Sequence, residues 1–341
     1  MRESGKEIAI AVLACVAAML CFSVVPVFLR QLTKHLDSWT VNAVRYSTAA
    51  LFWLPFVLRL QRAKPPARPV GDLLVLGRRA EARVGSPAQR SVWRAALIPA
   101  AVNLVGQVGW AICPYHADAP TIGFVIRTSF LFTVVFGFLF IPAERLLGRR
   151  PMFLLGASVC LAGVVIICVG AAPQDHEQAK TSPFGVPIIL ATAVCWGAYA
   201  VSVRRFLSGY PLRLAFGVIS LYTAAGLVLL MFGCGRFQEL VRIPLRAWAL
   251  LVVSGMLGIA FGHVLYYRGI HGIGPVVASG TMLAGPFVTY LTAAIFLPED
   301  KLTLIQLLGG AVVVAGGLAL VKAKAQIEAA AGAEQVQPEQ P

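Results

Sequence analysis

Ionisable side chains inside long apolar runs are the first residues to explain, because each costs several kcal/mol in hydrocarbon and marks function by default. Arg127 lies within an apolar run that starts near residue 120, and Arg45 lies about two helical turns into another. His263 sits in a third, between Gly262 and Tyr266. A guanidinium in such a place suits bidentate recognition of a carboxylate. The competing reading is a side chain that snorkels to water or bonds helix carbonyls. His263 titrates near neutrality and is the one proton carrier offered by the apolar runs, although a lone histidine also serves as a hydrogen-bonded packing residue. Asp and Glu are confined to connections and tails. Thr281 supplies a hydroxyl near a break expected at Pro286. Trp196, Tyr199 and Tyr267 supply aromatic wall for a small organic solute, or ordinary bundle and belt packing.

These side chains must be positioned by membrane helices. Of 341 residues, 58% are hydrophobic and 13% charged, and mean hydropathy is +0.78. A water-soluble domain does not carry that composition. Ten apolar runs occur, at about 8–29, 38–60, 92–113, 120–141, 151–170, 184–204, 212–234, 247–267, 275–297 and 302–321, each near the 20 or so residues that cross a bilayer. They are continuous rather than alternating, which excludes a β-barrel. The predicted fold class is therefore an all-α integral membrane protein of ten transmembrane helices. The first run reads as an uncleaved span, because it is too long for a signal-peptide core.

The net charge of +14 (29 basic, 15 acidic) first suggests a nucleic-acid or anionic-surface partner. Placing the residues changes that. With the N-terminus inside, twenty basic residues fall on the side of the termini, seven on the other, and only Arg45 and Arg127 within spans. The asymmetry predicts both termini cytoplasmic in a multi-pass cytoplasmic (inner) membrane protein, and no nucleic-acid partner. Residues 61–91 form a basic, Pro- and Gly-rich cytoplasmic loop, either solvated or lying on anionic headgroups. Residues 323–341 read as a disordered cytoplasmic tail. The seven cysteines show no CxxC spacing and no paired histidine, so packing is expected of them, with no metal or cofactor. No nucleotide-binding or hydrolase motif occurs, so the chain is not expected to be an enzyme.

The chain also repeats itself. Glu144 follows Pro142 at the end of the fourth run, and Glu299 follows Pro298 after the ninth, at an offset of 155. Gly156 and Gly163 recur as Gly310 and Gly317 at an offset of 154. Repeats over 8–170 and 184–322, each of five spans, would enter the membrane from opposite sides, the arrangement of alternating-access carriers. The repeated Glu144 and Glu299 and the four glycines read as structural repeat elements. Arg127 has no counterpart, since the equivalent position is Met282.

On these features the chain resembles the drug/metabolite transporter superfamily, in its ten-helix EamA type. The doubled Pro-Glu elements and the glycine-spaced spans after them carry the likeness. Cys195, Trp196 and Gly197 resemble an element early in the family's repeat, from which Cys21, Phe22 and Ser23 depart. The resemblance implies a central cavity partly lined by spans four and nine. It implies secondary transport of a small organic metabolite. Arg127, Arg45 and His263, facing inward together, would give that cavity a basic character, which points to an amino acid, a carboxylate or another anionic metabolite. The bilayer and that solute are the expected partners, and homodimerisation is left open. The first span lacks the carboxylate that small multidrug relatives use for proton exchange. A non-transporting membrane scaffold or receptor, and a membrane-embedded lipid-modifying enzyme, remain the alternative readings.

Overall fold

A computed structural model describes residues 2–62, 91–140, 151–171, 181–207, 210–266, 268–269, 281–297 and 303–336. Glu144, Glu299, Tyr267 and all of the 61–91 loop except its two ends lie outside the described residues. Among those described, all regular structure is helical: α1 Arg2–Leu32, α2 Ser38–Arg62, α3 Val92–His116, α4 Ala119–Val125, α5 Ser129–Phe140, α6 Pro151–Ala171, α7 Gly185–Leu207, α8 Leu212–Cys234, α9 Leu245–Gly255, α10 Gly285–Phe296 and α11 Leu304–Val336. A 3-10 turn, Ile126–Thr128, joins α4 to α5, and a π-helical stretch, Met256–Phe261, continues α9.

Seven of these helical stretches are long and apolar enough to cross a bilayer, and three shorter apolar helices, Pro151–Ile167, Gly285–Phe296 and Leu304–Ala319, complete the ten runs read from the sequence. Helices satisfy their own backbone groups, which hydrocarbon cannot. Lipid replaces water around the bundle, so Leu51, Leu155, Leu229 and Ile295 point outward at 62–73% exposure without the cost this would carry in water. Spans four and eight are each built from two pieces (α4 with α5, and α9 with its π continuation). The last helix runs on to Val336. The stretch expected to be a disordered tail from residue 323 is thus helical up to that residue, because its Ala, Glu, Gln and Lys are strong helix formers and propagate the apolar span.

Spans five and ten, α6 and α11, pack backbone to backbone. A Cβ on Gly163 would lie 2.6 Å from Val313 N, and one on Gly309 would lie 2.8 Å from Ile167 N. Gly310 and Gly317 face elsewhere, against Phe124 and Leu283. The two glycine doublets of α11 therefore serve two faces: Gly309 and Gly316 admit α6, while Gly310 and Gly317 admit spans four and nine. Spans two and seven likewise pack directly, as α2 against α8.

The connections on the side away from the termini are tied together. Arg30 Nη1 donates to Pro114 O (2.5 Å), Gln31 Nε2 to Phe296 O (2.9 Å), and Tyr115 Oη to Leu36 O. Asp118 caps α4 by accepting from Thr121 N (2.8 Å) and also accepts from Thr181 Oγ1 (2.6 Å). Asp37 opens α2 and reaches across to the connection between spans seven and eight. Burial by itself would raise its carboxyl. The opposing hydrogen bonds win: Arg236 N, Thr40 Oγ1, Thr40 N and Trp39 N all donate to it and hold it below the usual carboxylate range. A carboxyl depressed in the fold stabilises above its unfolded pKa of about 3.9 and loses that contribution as pH falls through the folded value. Asp37→Asn is expected to lower the melting temperature in detergent at pH 7 and to flatten its fall below about pH 4. An unchanged acid limb in the variant would disprove the assignment.

Candidate functional site

Four helix irregularities meet at one level of α1. Pro26 interrupts α1 by removing the N–H that would bond the Phe22 carbonyl. Span four changes to 3-10 geometry at Ile126–Thr128. Span nine turns at Leu283 and Ala284 before α10 begins, and span eight carries the π stretch. They touch where glycines allow. Gly285 abuts Ser23 and Arg127, Gly123 abuts Thr289, Gly258 abuts Val25, and Gly262 abuts Phe22. Thr289 Oγ1 donates to Ser23 O (2.8 Å) and binds α10 to the kink in α1. Broken helices meeting at membrane depth are how carriers place backbone and side-chain groups around a solute.

Arg127 stands at this junction. Its Nε is sealed from solvent and has no hydrogen-bond partner, although the side chain as a whole is only half-buried. No ion pair or hydrogen bond engages the guanidinium among the described residues. A Cβ on Gly285 would fall 2.5 Å from Nη2 and 2.8 Å from Ser23 Oγ. Packing rather than a carboxylate therefore holds this charge in place.

Arg45 and His263 are placed differently. Arg45 is 1% exposed, which rules out the snorkelling reading. Its Nε donates to Ser254 Oγ (2.9 Å) and its Nη2 to Ser254 O (3.4 Å), while Nη1 is buried without a partner. His263 Nδ1–H donates to Gly258 O (3.1 Å), and the ring stacks on Phe216 and meets Phe22 edge-on. A π stretch inserts a residue into the helix and disturbs its carbonyl ladder. Arg45 and His263 serve the carbonyls just before and within that stretch. Both sit on the Phe22 and Val25 face of α1, whereas Arg127 sits by Ser23, about 200° around the helix from Val25. The three basic residues thus share a level of α1 but not a face of it.

Thr281 lies one turn before Gly285, and its carbonyl accepts from Ala284 N (3.4 Å). Trp196 tilts against Trp110 at 4.9 Å between ring centroids and fills the notch at Gly106. It joins spans three and six. Tyr199 packs against the apolar cluster that holds Leu207, Val218 and Ile219.

Sequence reasoning missed a polar network between spans two, three and seven. Asn103 Nδ2 donates to Tyr46 Oη (3.1 Å) and to Thr223 Oγ1 (3.0 Å), and Asn42 Nδ2 donates to Gln107 O (2.7 Å). All five residues are buried. Uncharged amides near mid-span were the available signal. Asn103→Leu strands two hydroxyls and is expected to cost about 1–2 kcal/mol in detergent unfolding. A change below about 0.3 kcal/mol would show the network to be incidental. Among the described residues, no group of three His, Cys, Asp or Glu side chains could hold a metal.

Comparison with known proteins follows the same architecture. The chain is 27% identical to the uncharacterized transporter YcbK of Bacillus subtilis over 48% of its own length, and spans 58% of that relative. It is 24% identical to the uncharacterized protein PA1977 of Pseudomonas aeruginosa, covering 91% of this chain and 94% of that one. It is 25% identical to the uncharacterized inner membrane transporter YedA of Escherichia coli K12, covering 75% and 73%. A solved crystal structure superposes with a TM-score of 0.58 at 20% identity, covering 93% of this chain and 98% of the other, and shares the fold. The model of the EamA-like transporter family matches residues 9–169 and 183–322. With its ten apolar helices and with both of these stretches matched, the chain belongs to the EamA-like transporter family.

Proposed function

We propose that this membrane transporter is a secondary carrier of a small organic anion, a carboxylate or amino acid, working by alternating access in the cytoplasmic membrane. Two inverted five-helix repeats, 8–170 and 184–322, would form it, with both termini cytoplasmic. The observation that carries the substrate class is Arg127: a guanidinium without an acidic partner among the described residues, at the point where spans one, four, eight and nine are irregular. An unpaired cation in a low-dielectric site favours an anionic ligand. Direct packing of spans two with seven, and of five with ten, supports the repeat. The hydrogen-bonded connections opposite the termini support a state closed on that side.

The test is solute uptake into proteoliposomes, with labelled carboxylates, amino acids, organic cations and neutral sugars, with and without a pH gradient. Saturable uptake of a carboxylate-bearing solute, competed by other carboxylates, is expected. Uptake confined to cations or sugars would overturn the substrate class. Flux indifferent to the gradient would remove His263 as a proton relay and leave it the π-segment partner that its geometry describes.

A further inference from the structure

Gly285 is the residue against which the Arg127 guanidinium lies, and its missing side chain decides what that guanidinium can meet. A Cβ there would sit 2.5 Å from Nη2, 3.3 Å from Cζ and 2.8 Å from Ser23 Oγ. None of these contacts has room to spare. The left-handed backbone that usually demands glycine is not the reason, since residue 285 opens an ordinary right-handed helix, α10. Nor does it face a helix backbone, as Gly163 and Gly309 do. Its nearest neighbours are two polar side chains. With Nε sealed, the donors left to a ligand are those of Nη1 and Nη2, and the second of these is the one a Cβ would cover.

We propose that Gly285 is the specificity-determining position of the Arg127 site, keeping the Nη1–Nη2 edge open for end-on, bidentate binding of one planar carboxylate. This rests on the reading of Arg127 as the anion anchor. Two parallel N–H groups match the spacing of two carboxylate oxygens. The single guanidinium selects a singly charged head group, because among the described residues no second unpaired cation shares this face of α1. Arg45 lies on the far side of the helix and already gives Nε and Nη2 to Ser254. The start of α10 adds the partial positive charge of a helix N-terminus beside the same edge, which reinforces the preference for an anion without supplying the site.

The experiment is a double-substitution cycle on the purified full-length protein, with thermal-shift titrations of butyrate, methyl phosphate and uncharged butyramide. Wild type should bind butyrate, methyl phosphate more weakly, and butyramide not at all. Arg127→Gln should abolish butyrate binding, and Gly285→Ala should weaken it about tenfold or more. In an Arg127→Lys background, Gly285→Ala should change affinity by less than about twofold, because lysine has no Nη2 for the Cβ to meet. A second readout needs no residual affinity. Phenylglyoxal labelling of Arg127, followed by mass spectrometry, should be protected by butyrate in wild type and reduced in Gly285→Ala. Equal loss of affinity in both backgrounds, failure of Gly285→Ala to fold in either, or undiminished labelling would make Gly285 a packing position and overturn the inference, with Arg127 still the anchor. Tighter binding of methyl phosphate than of butyrate would overturn the carboxylate assignment. Butyrate binding that survives in Arg127→Gln would overturn the anchor itself.

Discussion

Arg127→Gln is expected to cut carrier-mediated uptake of the anionic solute about 100-fold while leaving the folded protein intact. The size follows from two charge-assisted hydrogen bonds at about 1.5 kcal/mol each, and about 3 kcal/mol corresponds to two decades in affinity. Arg127→Lys keeps the charge but not the fork, and should fall between the two. The absence of a stability penalty is the more diagnostic half. A buried charge paired with a carboxylate leaves that carboxylate stranded when it is removed, at about 3–5 kcal/mol. Arg127 has no such partner among the described residues, and its Nε is unsatisfied as it stands. Neutralising it should therefore leave the melting temperature unchanged or raise it. Lost uptake together with an unchanged or higher melting temperature identifies a binding residue. A melting temperature that falls together with uptake would identify a structural one.

Gly309→Leu should have the largest effect on stability, about 3 kcal/mol or more, with loss of the α6–α11 contact. A Cβ at 309 would meet Ile167 N at 2.8 Å and Gly163 O at 2.9 Å. These are backbone atoms of a neighbouring helix and cannot rotate away, so the helices must separate, as overpacked interfaces do. Cys160 Sγ donates to Val313 O (3.3 Å) at the same interface and would be lost with it. Gly233→Ala is the matched control. Its Cβ would meet nothing within 4 Å, and helix propensity alone should stabilise by up to about 1 kcal/mol. If Gly309→Leu melted within about 0.5 kcal/mol of wild type, the close α6–α11 crossing would be wrong.

Much of the architecture was legible because hydrocarbon imposes a length rule. The ten apolar runs matched ten apolar helices. Two of them, spans four and eight, are each built from two pieces. The interruptions were hard to foresee. Residues 126–128 and 256–261 contain no proline, so no local breaker marks their irregular geometry. The repeat glycines read as structural elements, yet Gly163 meets Gly309, which is not one of the repeat-matched glycines, rather than the adjacent Gly310, which is. A one-residue register between helices is a property of the interface, not of either sequence. The Asn103, Tyr46 and Thr223 network escaped notice because each member is individually unremarkable and only their meeting is costly to break.

Composition, run length and the distribution of basic residues determined by themselves that this chain is a bundle of membrane helices, and that Arg45 and Arg127 are the cations that topology does not explain. A buried ionisable group is expensive wherever it lies, so its presence in an apolar run is informative without coordinates. Only the tertiary structure separated the two arginines. Arg45 gives its donors to Ser254 at the π stretch of span eight, whereas Arg127 faces the glycine that opens α10 and keeps its donors. The physical reason is direction. Sequence sets how deep a side chain sits along a helix, and helix packing sets which neighbour it faces and whether that neighbour can accept a hydrogen bond.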